Sequence, residues 1–340
     1  MKRLALGLLL SVSLSARAQP AGGMPLELPA SLSSTLQDLL NGLRNRRPAQ
    51  AAPTPAKGGG NTGRLVSWNV QTLGRKASAT KKDALRRGLA LALDVSGPVL
   101  LAAQEIANDA GSEVLERQLP NGGRGWTSSF EDTRDAQDNA LYFGPGVRVD
   151  CAMTLALEGV VHPPRMAHVT VGSADFTVLS VHLTYAKGDA SASTAELERI
   201  LSWVRAEMAR PGADPDFVIA GDFNLPSRRG KTLSVRAEDR SWEPIEGVLG
   251  KDFAVLIDEP TSRSGREDSA NNYDHFIVSR SFADSELVEA SALGAEQFGA
   301  VERDAGARAS DHFPISLTFL KSGPGRDGRP IAAHGPSTCR

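Results

Sequence analysis

The chain has 340 residues, of which 41% are hydrophobic and 23% charged, and its formal net charge is −2. That balance describes a globular protein long enough to bury its own core without structural metal or a disulfide framework. The charge excludes a polycation, so any affinity for nucleic acid or an anionic surface requires a local patch.

The start of the chain reads as an export segment. Lys2 and Arg3 precede a short apolar run over 4–14, and Ala16-Arg17-Ala18 supplies a small-x-small cleavage pattern, so residues 1–18 are expected to be a bacterial-type signal peptide. The run is shorter than the about 20 apolar residues that span a bilayer, and no later stretch is apolar enough. The expectation is a secreted or periplasmic protein with no stable membrane insertion. Residues 19–63 divide into a short helix and a linker. Leu32, Leu36, Leu39, Leu40 and Leu43 form a helical stripe within 26–47, and 48–63 is rich in Pro, Gly and Ala. The folded domain is placed at 64–320. Strand-like apolar runs recur in it at 64–70, 99–103, 140–143, 167–171, 176–182, 217–220, 275–278 and 315–319, with helical patterns at 81–93 and 195–209. This mixture predicts an α/β sandwich, sheets inside and helices outside. The tail, 321–340, is Gly/Pro-rich and expected to be disordered. Cys151 and Cys339 are the only cysteines. Export permits a disulfide between them, and the sequence leaves the pairing open. Nothing requires a dimer, and a monomer is expected.

The unusual polar residues gather at the ends of the apolar runs. Asn69 ends Leu-Val-Ser-Trp-Asn, Glu105 follows Val-Leu-Leu-Ala-Ala-Gln, and His182 ends Thr-Val-Leu-Ser-Val-His. Asp222 and Asn224 follow Phe-Val-Ile-Ala-Gly, Asp274 precedes the run at 275–278, and Asp311-His312 precedes that at 315–319. A strand buries its body and presents polar groups at its end, so several such ends on one rim make a site. Carboxylate and amide oxygens are the donors that Mg2+, Mn2+ or Ca2+ prefer. Histidines beside them can move protons near neutral pH. Taken singly, each residue has an ordinary reading as a turn former, cap or core group; their joint occurrence is the signal.

The ordered set Ser-Trp-Asn (67–69), Gln-Glu-Ile (104–106), Ser-Val-His (180–182), Gly-Asp-Phe-Asn (221–224), Tyr-Asp-His (273–275) and Ser-Asp-His-Phe-Pro (310–314) resembles the endonuclease/exonuclease/phosphatase superfamily, the deoxyribonuclease I-like proteins. The resemblance spans 64–320. It implies a four-layered α/β sandwich of two packed, mainly antiparallel sheets flanked by helices, with the site at one rim. It implies Glu105 as the main Mg2+ ligand, with Asn69 and Asp311 close by. By the same resemblance Asp222 and Asn224 orient the attacking water and the phosphate, and His312 takes the water's proton with Asp274 holding its ring. His182 bonds a phosphoryl oxygen and helps protonate the departing oxygen, and Arg165 matches a phosphate-contacting arginine. Two departures stand out. No arginine follows Glu105 in Glu-Ile-Ala-Asn, and the stretch expected to support His182 with a glutamate reads Asp-Ala-Gln-Asp-Asn-Ala, leaving Asp138 as its substitute.

The implied activity is divalent-metal-dependent hydrolysis of a phosphodiester. Nucleic acid, DNA or RNA, is the first substrate reading, with a sphingomyelinase-like or small-molecule phosphodiesterase as the alternative and a non-catalytic binding module behind both. Two basic stretches bear on the choice. Arg75, Lys76, Lys81, Lys82, Arg86 and Arg87 form one; Arg228, Arg229 and Lys231, directly after the Gly-Asp-Phe-Asn turn, form the other and are read as the phosphate contacts.

Overall fold

The fold follows from strands that are apolar on both faces. In the computed structural model, which describes residues 60–185, 189–234, 240–264, 267–321 and 335–339, the first strand is β1 (Thr62–Leu73), buried along most of its length. It is followed by α1 (Ala79–Ala92), β2 (Val99–Ile106), α2 (Asp109–Gln118), β3 (Thr127–Ser129), β4 (Asp138–Phe143), β5 (Arg148–Thr154), β6 (Arg165–Val171) and β7 (Ala174–His182). Then come α3 (Ser191–Met208), β8 (Phe217–Asp222), α4 (Arg228–Leu233), α5 (Glu246–Leu249), β9 (Phe253–Val255), β10 (Ser262–Ser264), β11 (Glu267–Asn271) and β12 (Asp274–Ser279). The last elements of the domain are α6 (Arg280–Ser285), β13 (Leu287–Ala292), α7 (Ala295–Ala305) and β14 (Ile315–Leu320). The signal-peptide reading, the 26–47 helix and most of the 48–63 linker lie outside the described residues.

Two six-stranded sheets result, ordered β13-β14-β1-β2-β4-β3 and β5-β6-β7-β8-β12-β9. Each has one parallel pair at its centre, β1 with β2 and β7 with β8, and antiparallel neighbours on both sides. The parallel pairs need crossovers, which α1 and α3 supply. Alternation along β1 sends Leu65 into the core between the sheets, with Leu100, Ala102, Val178 and Phe276. It sends Val66, Trp68 and Val70 to the outer face, against Leu85 and Leu89 of α1, Val114 and Leu115 of α2 and Phe298 of α7. On the other outer face Leu179, Val181 and Ile219 meet Leu197, Ile200, Leu201 and Val204 of α3. The four layers and the mainly antiparallel pairing are those the sequence predicts.

Two details pin the rim where the strands end. Gln104 Nε2 donates to Ser180 Oγ at 3.0 Å, and Ser180 Oγ donates to the Ala103 carbonyl at 3.2 Å, so a polar tie joins the sheets at the edge of an apolar interface. Gly221 has φ +155°, and a Cβ there would lie 1.9 Å from the Val181 carbonyl, so only glycine lets β8 run this close to β7.

The tail corrects its expectation at one end. Residues 335–339 are ordered: Cys339 forms a disulfide with Cys151 of β5, and the Ser337 N–H and hydroxyl both donate to Glu207 of α3. A covalent bond and a buried carboxylate outweigh the Gly/Pro-rich composition on which disorder was expected. The domain also begins two residues earlier than predicted, because Thr62 pairs with Leu320.

Candidate active site

The rim gathers most of the expected residues into one cleft of about 540 Å³, lined by Glu105, His182, Asp222, Asn224, Asp311 and His312 among others. β1 and β2 supply the first wall. Their register breaks between Asn69 and Leu73, and Gln71, Thr72 and Glu105 adopt positive φ of 53°, 47° and 62°. A β-branched residue with positive φ is strained, and such strain persists where the surroundings hold it. Here it turns the Thr72 N–H and hydroxyl onto Glu105 Oε2, each at 2.8 Å. Asn69 Nδ2 donates to Glu105 Oε1 at 2.9 Å and to Asp222 Oδ2 at 3.1 Å, holding the two carboxylates together.

β7 and β8 supply the second wall with their register intact to the last pair, His182 opposite Asp222. The Asn224 N–H donates to Asp222 Oδ1 at 3.0 Å, and its side-chain amide donates to the Leu183 carbonyl at 2.8 Å. His182 Nε2 lies 3.7 Å from Asp222 and 4.0 Å from Glu105, while its buried Nδ1 has no hydrogen-bond partner among the described residues.

Asp274 and His312 complete the site. His312 Nδ1 bonds Asp274 Oδ2 at 2.8 Å, and its Nε2 lies 3.5 Å from Asp222 Oδ2. Both residues are fixed by neighbours the sequence reading passed over. Thr261 Oγ1 accepts the N–H groups of Tyr273 and Asp274. Ser310 Oγ donates to the Asn69 carbonyl at 2.6 Å and accepts the His312 N–H at 3.1 Å. The Trp68 indole donates to the His312 carbonyl at 3.0 Å. Trp68 and Ser310 sit inside the recognised motifs; Thr72 and Thr261 carry no sequence signal of their own.

Burial sets the electrostatics. It pulls the His312 imidazole down, but Asp274 and Asp222 outweigh it and raise the group to about 10. Burial pushes the Asp222 carboxyl up to about 6, with Asp274 adding to the shift and His312 and His182 opposing it. Burial also pushes Glu105 up, yet His182, Asn69, Thr72 and His312 together hold it below the ordinary carboxylate value. His182 is lowered by burial against the pull of Asp222 and Glu105.

Those charges bear on a cation. Glu105, Asp222, Asp274 and Asp311 are four carboxylates around one strongly basic imidazole. The excess negative charge and oxygen donors fit a hard divalent ion; Asp274 is hydrogen-bonded to His312 and Asp222 faces both imidazoles at 3.5 and 3.7 Å, while Glu105 stands 4.0 Å from His182. Asn69 fits less well as a direct ligand, because its oxygen accepts the Gln71 N–H at 3.0 Å and its nitrogen faces the carboxylates.

Other expectations are corrected. Arg165 is buried and occupied: it donates to Ser129 at 2.7 Å, Thr154 at 2.6 Å and Glu131 at 3.1 Å, and it does not line the cleft. A β-strand position facing a polar hairpin satisfies its guanidinium internally. Arg228, Arg229 and Lys231 belong to α4, whose start is capped by Ser227 and by Glu246, and they too are absent from the cleft lining. Asp138 does not support His182; its carboxylate is taken by the Thr133 hydroxyl and N–H. The other basic stretch is the better placed. Arg75, Lys76 and Lys81 line a second cleft with Thr72, the residue that holds Glu105. Arg86 and Arg87 are instead paired with Asp83 on the exposed face of α1.

The fold and this site define a hydrolase that acts on phosphodiester bonds. The chain belongs to the endonuclease/exonuclease/phosphatase family, whose model matches residues 66–312. Among solved structures, TDP2 from D. rerio complexed with single strand DNA product is 18% identical with a TM-score of 0.55, over 76% of this chain and 98% of that one. TDP2 from C. elegans is 15% identical with a TM-score of 0.54, over 89% and 96% of the two chains. ANGEL2, a 2′,3′-cyclic phosphatase in complex with adenosine-2′,3′-vanadate, is 14% identical with a TM-score of 0.53, over 77% and 96%. These likenesses establish the fold. No curated protein matches the chain.

Proposed function

We propose that the protein is an exported, divalent-metal-dependent nuclease. The observation that carries the nucleic-acid reading is the cleft where Arg75, Lys76 and Lys81 outnumber Asp109 and Asp132, which adjoins the site through Thr72. Cations beside a diester-cleaving centre suit a polyanion whose backbone continues past the scissile bond. At the main cleft Tyr185 is 43% exposed and packs near Trp242 and Tyr273, a surface on which a base can stack. The Cys151–Cys339 disulfide supports export, since such bonds persist in oxidising compartments.

Glu105 and Asp311 would hold the cation, with Asn69 and Thr72 fixing Glu105. A divalent ion bound there would neutralise the non-bridging oxygens of the diester. A cation beside the carboxylates that raise His312 to about 10 would lower it again, freeing Nε2 to receive the proton of the water that Asp222 orients. Asp274 keeps the His312 ring in place through Nδ1 and balances the imidazolium that forms. His182 Nε2 hydrogen-bonds a phosphoryl oxygen.

The test is a panel of supercoiled DNA, single-stranded DNA, RNA and sphingomyelin with Mg2+, Mn2+, Ca2+ or EDTA, with Glu105→Ala as control. Cation-dependent cleavage of a nucleic acid that falls steeply with added salt is expected. Cleavage of sphingomyelin alone, or nucleic-acid cleavage that EDTA leaves intact, would overturn the reading.

A further inference from the structure

The cleft carries a second Asp–His pair. His162 lines it, and its Nδ1 bonds the Asp135 carboxylate. Its ring stacks on that of His182, with centroids 5.0 Å apart and planes 12° from parallel. The backbone on both sides of His162 is fixed. The Val161 N–H donates to the buried Glu196 carboxylate at 2.9 Å, and the Pro163 carbonyl accepts from Asn139 at 3.1 Å. Glu196 also accepts the Thr184 N–H and hydroxyl at 2.7 and 2.9 Å, so one carboxylate joins the segment holding His162 to the segment after β7. The His162 side chain is 11% exposed, and Nε2 has no hydrogen-bond partner among the described residues.

His182 has no such support. Its Nδ1 is buried without a partner among the described residues, none of which places a carboxylate behind the ring. An imidazole that gives up a proton to a leaving group and recovers it works best when a carboxylate orients the ring and balances its charge. The two carboxylate-backed imidazoles come from different parts of the chain. His312 and Asp274 precede β14 and open β12; His162 and Asp135 precede β6 and β4.

We infer that His162, backed by Asp135, is the general acid of diester cleavage. The water oxygen forms the new bond to phosphorus and its proton passes to His312 Nε2. The bond from phosphorus to the departing alcohol breaks with its electron pair on that oxygen, which takes a proton from His162 Nε2. His312 then gives its proton to solvent and His162 takes one back, which restores both imidazoles, and the products are a phosphomonoester and an alcohol. His182 is left to hold a phosphoryl oxygen. The inference rests on diester hydrolysis and not on the choice of nucleic acid.

The leaving group provides the test. A thymidine dinucleotide releases a basic alkoxide that needs a proton; the p-nitrophenyl ester of thymidine 5′-phosphate releases nitrophenolate, which does not. His162→Asn should lose about 10²-fold or more in kcat on the dinucleotide and less than about tenfold on the nitrophenyl ester, which needs no acid. Asp135→Asn should shift the ratio the same way by a smaller factor. The nitrophenyl rate also reports how much enzyme is folded. Equal losses on both esters would overturn the assignment and leave His162 a structural residue, and so would no loss on either. A wild-type enzyme that cleaves neither ester would remove the nucleic-acid reading, and the same variants would then be compared on sphingomyelin and bis(p-nitrophenyl) phosphate; a wild type inert on those too would remove diester hydrolysis itself, and the acid with it.

Discussion

The two parallel strand pairs at the centre of the sheets end differently, although each sits in the same antiparallel surroundings. β7 and β8 keep their register to His182 and Asp222, and Asp222 is then gripped by the N–H of Asn224 two residues on. β1 and β2 lose register after Asn69, and three residues with positive φ fold the Thr72 backbone over Glu105. The regular end presents an imidazole and a carboxylate at fixed spacing. The irregular end builds a carboxylate cradle out of backbone N–H and hydroxyl donors. Regular pairing suffices where two side chains must face each other, and positive φ enters on either wall where a backbone N–H has to reach a carboxylate, at Thr72 and, just past the regular pair, at Asn224 with φ 50°.

That contrast separates the expected effects. His312→Ala, on the proton-handling side, should lower kcat by about 10²–10⁴-fold while Mg2+ affinity, read by calorimetry, changes little. A comparable collapse of Mg2+ binding would show that the two walls are one unit. Thr72→Val, on the cradle side, should weaken Mg2+ binding by about 10–100-fold, the cost of losing a group that orients a ligand. Its saturated kcat should fall far less, and a kcat loss with unchanged affinity would reverse the assignment. The smallest effect is a pH dependence of stability without metal. His312 is held at about 10 against an ordinary value of 6.5, so the folded protein binds this proton more tightly than the unfolded chain. Its stabilisation is complete below 6.5 and fades as the pH rises toward 10. In EDTA the Tm gap between wild type and His312→Ala should therefore narrow across that window. A gap that stays constant would mean the pair does not hold the proton in the folded state.

The eight strand runs legible in the sequence are the eight inner strands, β1, β2, β4, β6, β7, β8, β12 and β14. Buried on both faces, they read as continuous apolar segments such as Phe-Val-Ile-Ala. The four edges, β3, β5, β9 and β13, escaped because an edge such as Arg-Val-Asp-Cys-Ala-Met-Thr mixes charge with half-buried positions, or because three residues carry too little pattern. The site divides the same way. Glu105, His182, Asp222, Asp274 and His312 were legible because each is anchored to an inner strand. His162 and Tyr185 lie on connecting segments whose place depends on Glu196, and no local spacing encodes that. Arg165 and the 228–231 cluster misled because a cationic residue near a motif does not reveal whether its charge is already satisfied inside the protein.

The bond between Cys151 and Cys339 closes a ring over a sequence separation of 188. In the chain-entropy picture such a ring restricts the denatured ensemble by about 5 kcal/mol, so its effect lies in the unfolded chain more than in any native contact. The ring encloses His162, His182, Asp222, Asp274, Asp311 and His312 but neither Asn69 nor Glu105. In the oxidised, unfolded protein the imidazoles of the cleft wall and Asp311 remain on one covalent loop, and the ends of β1 and β2, with Asn69 and Glu105, must find it from outside.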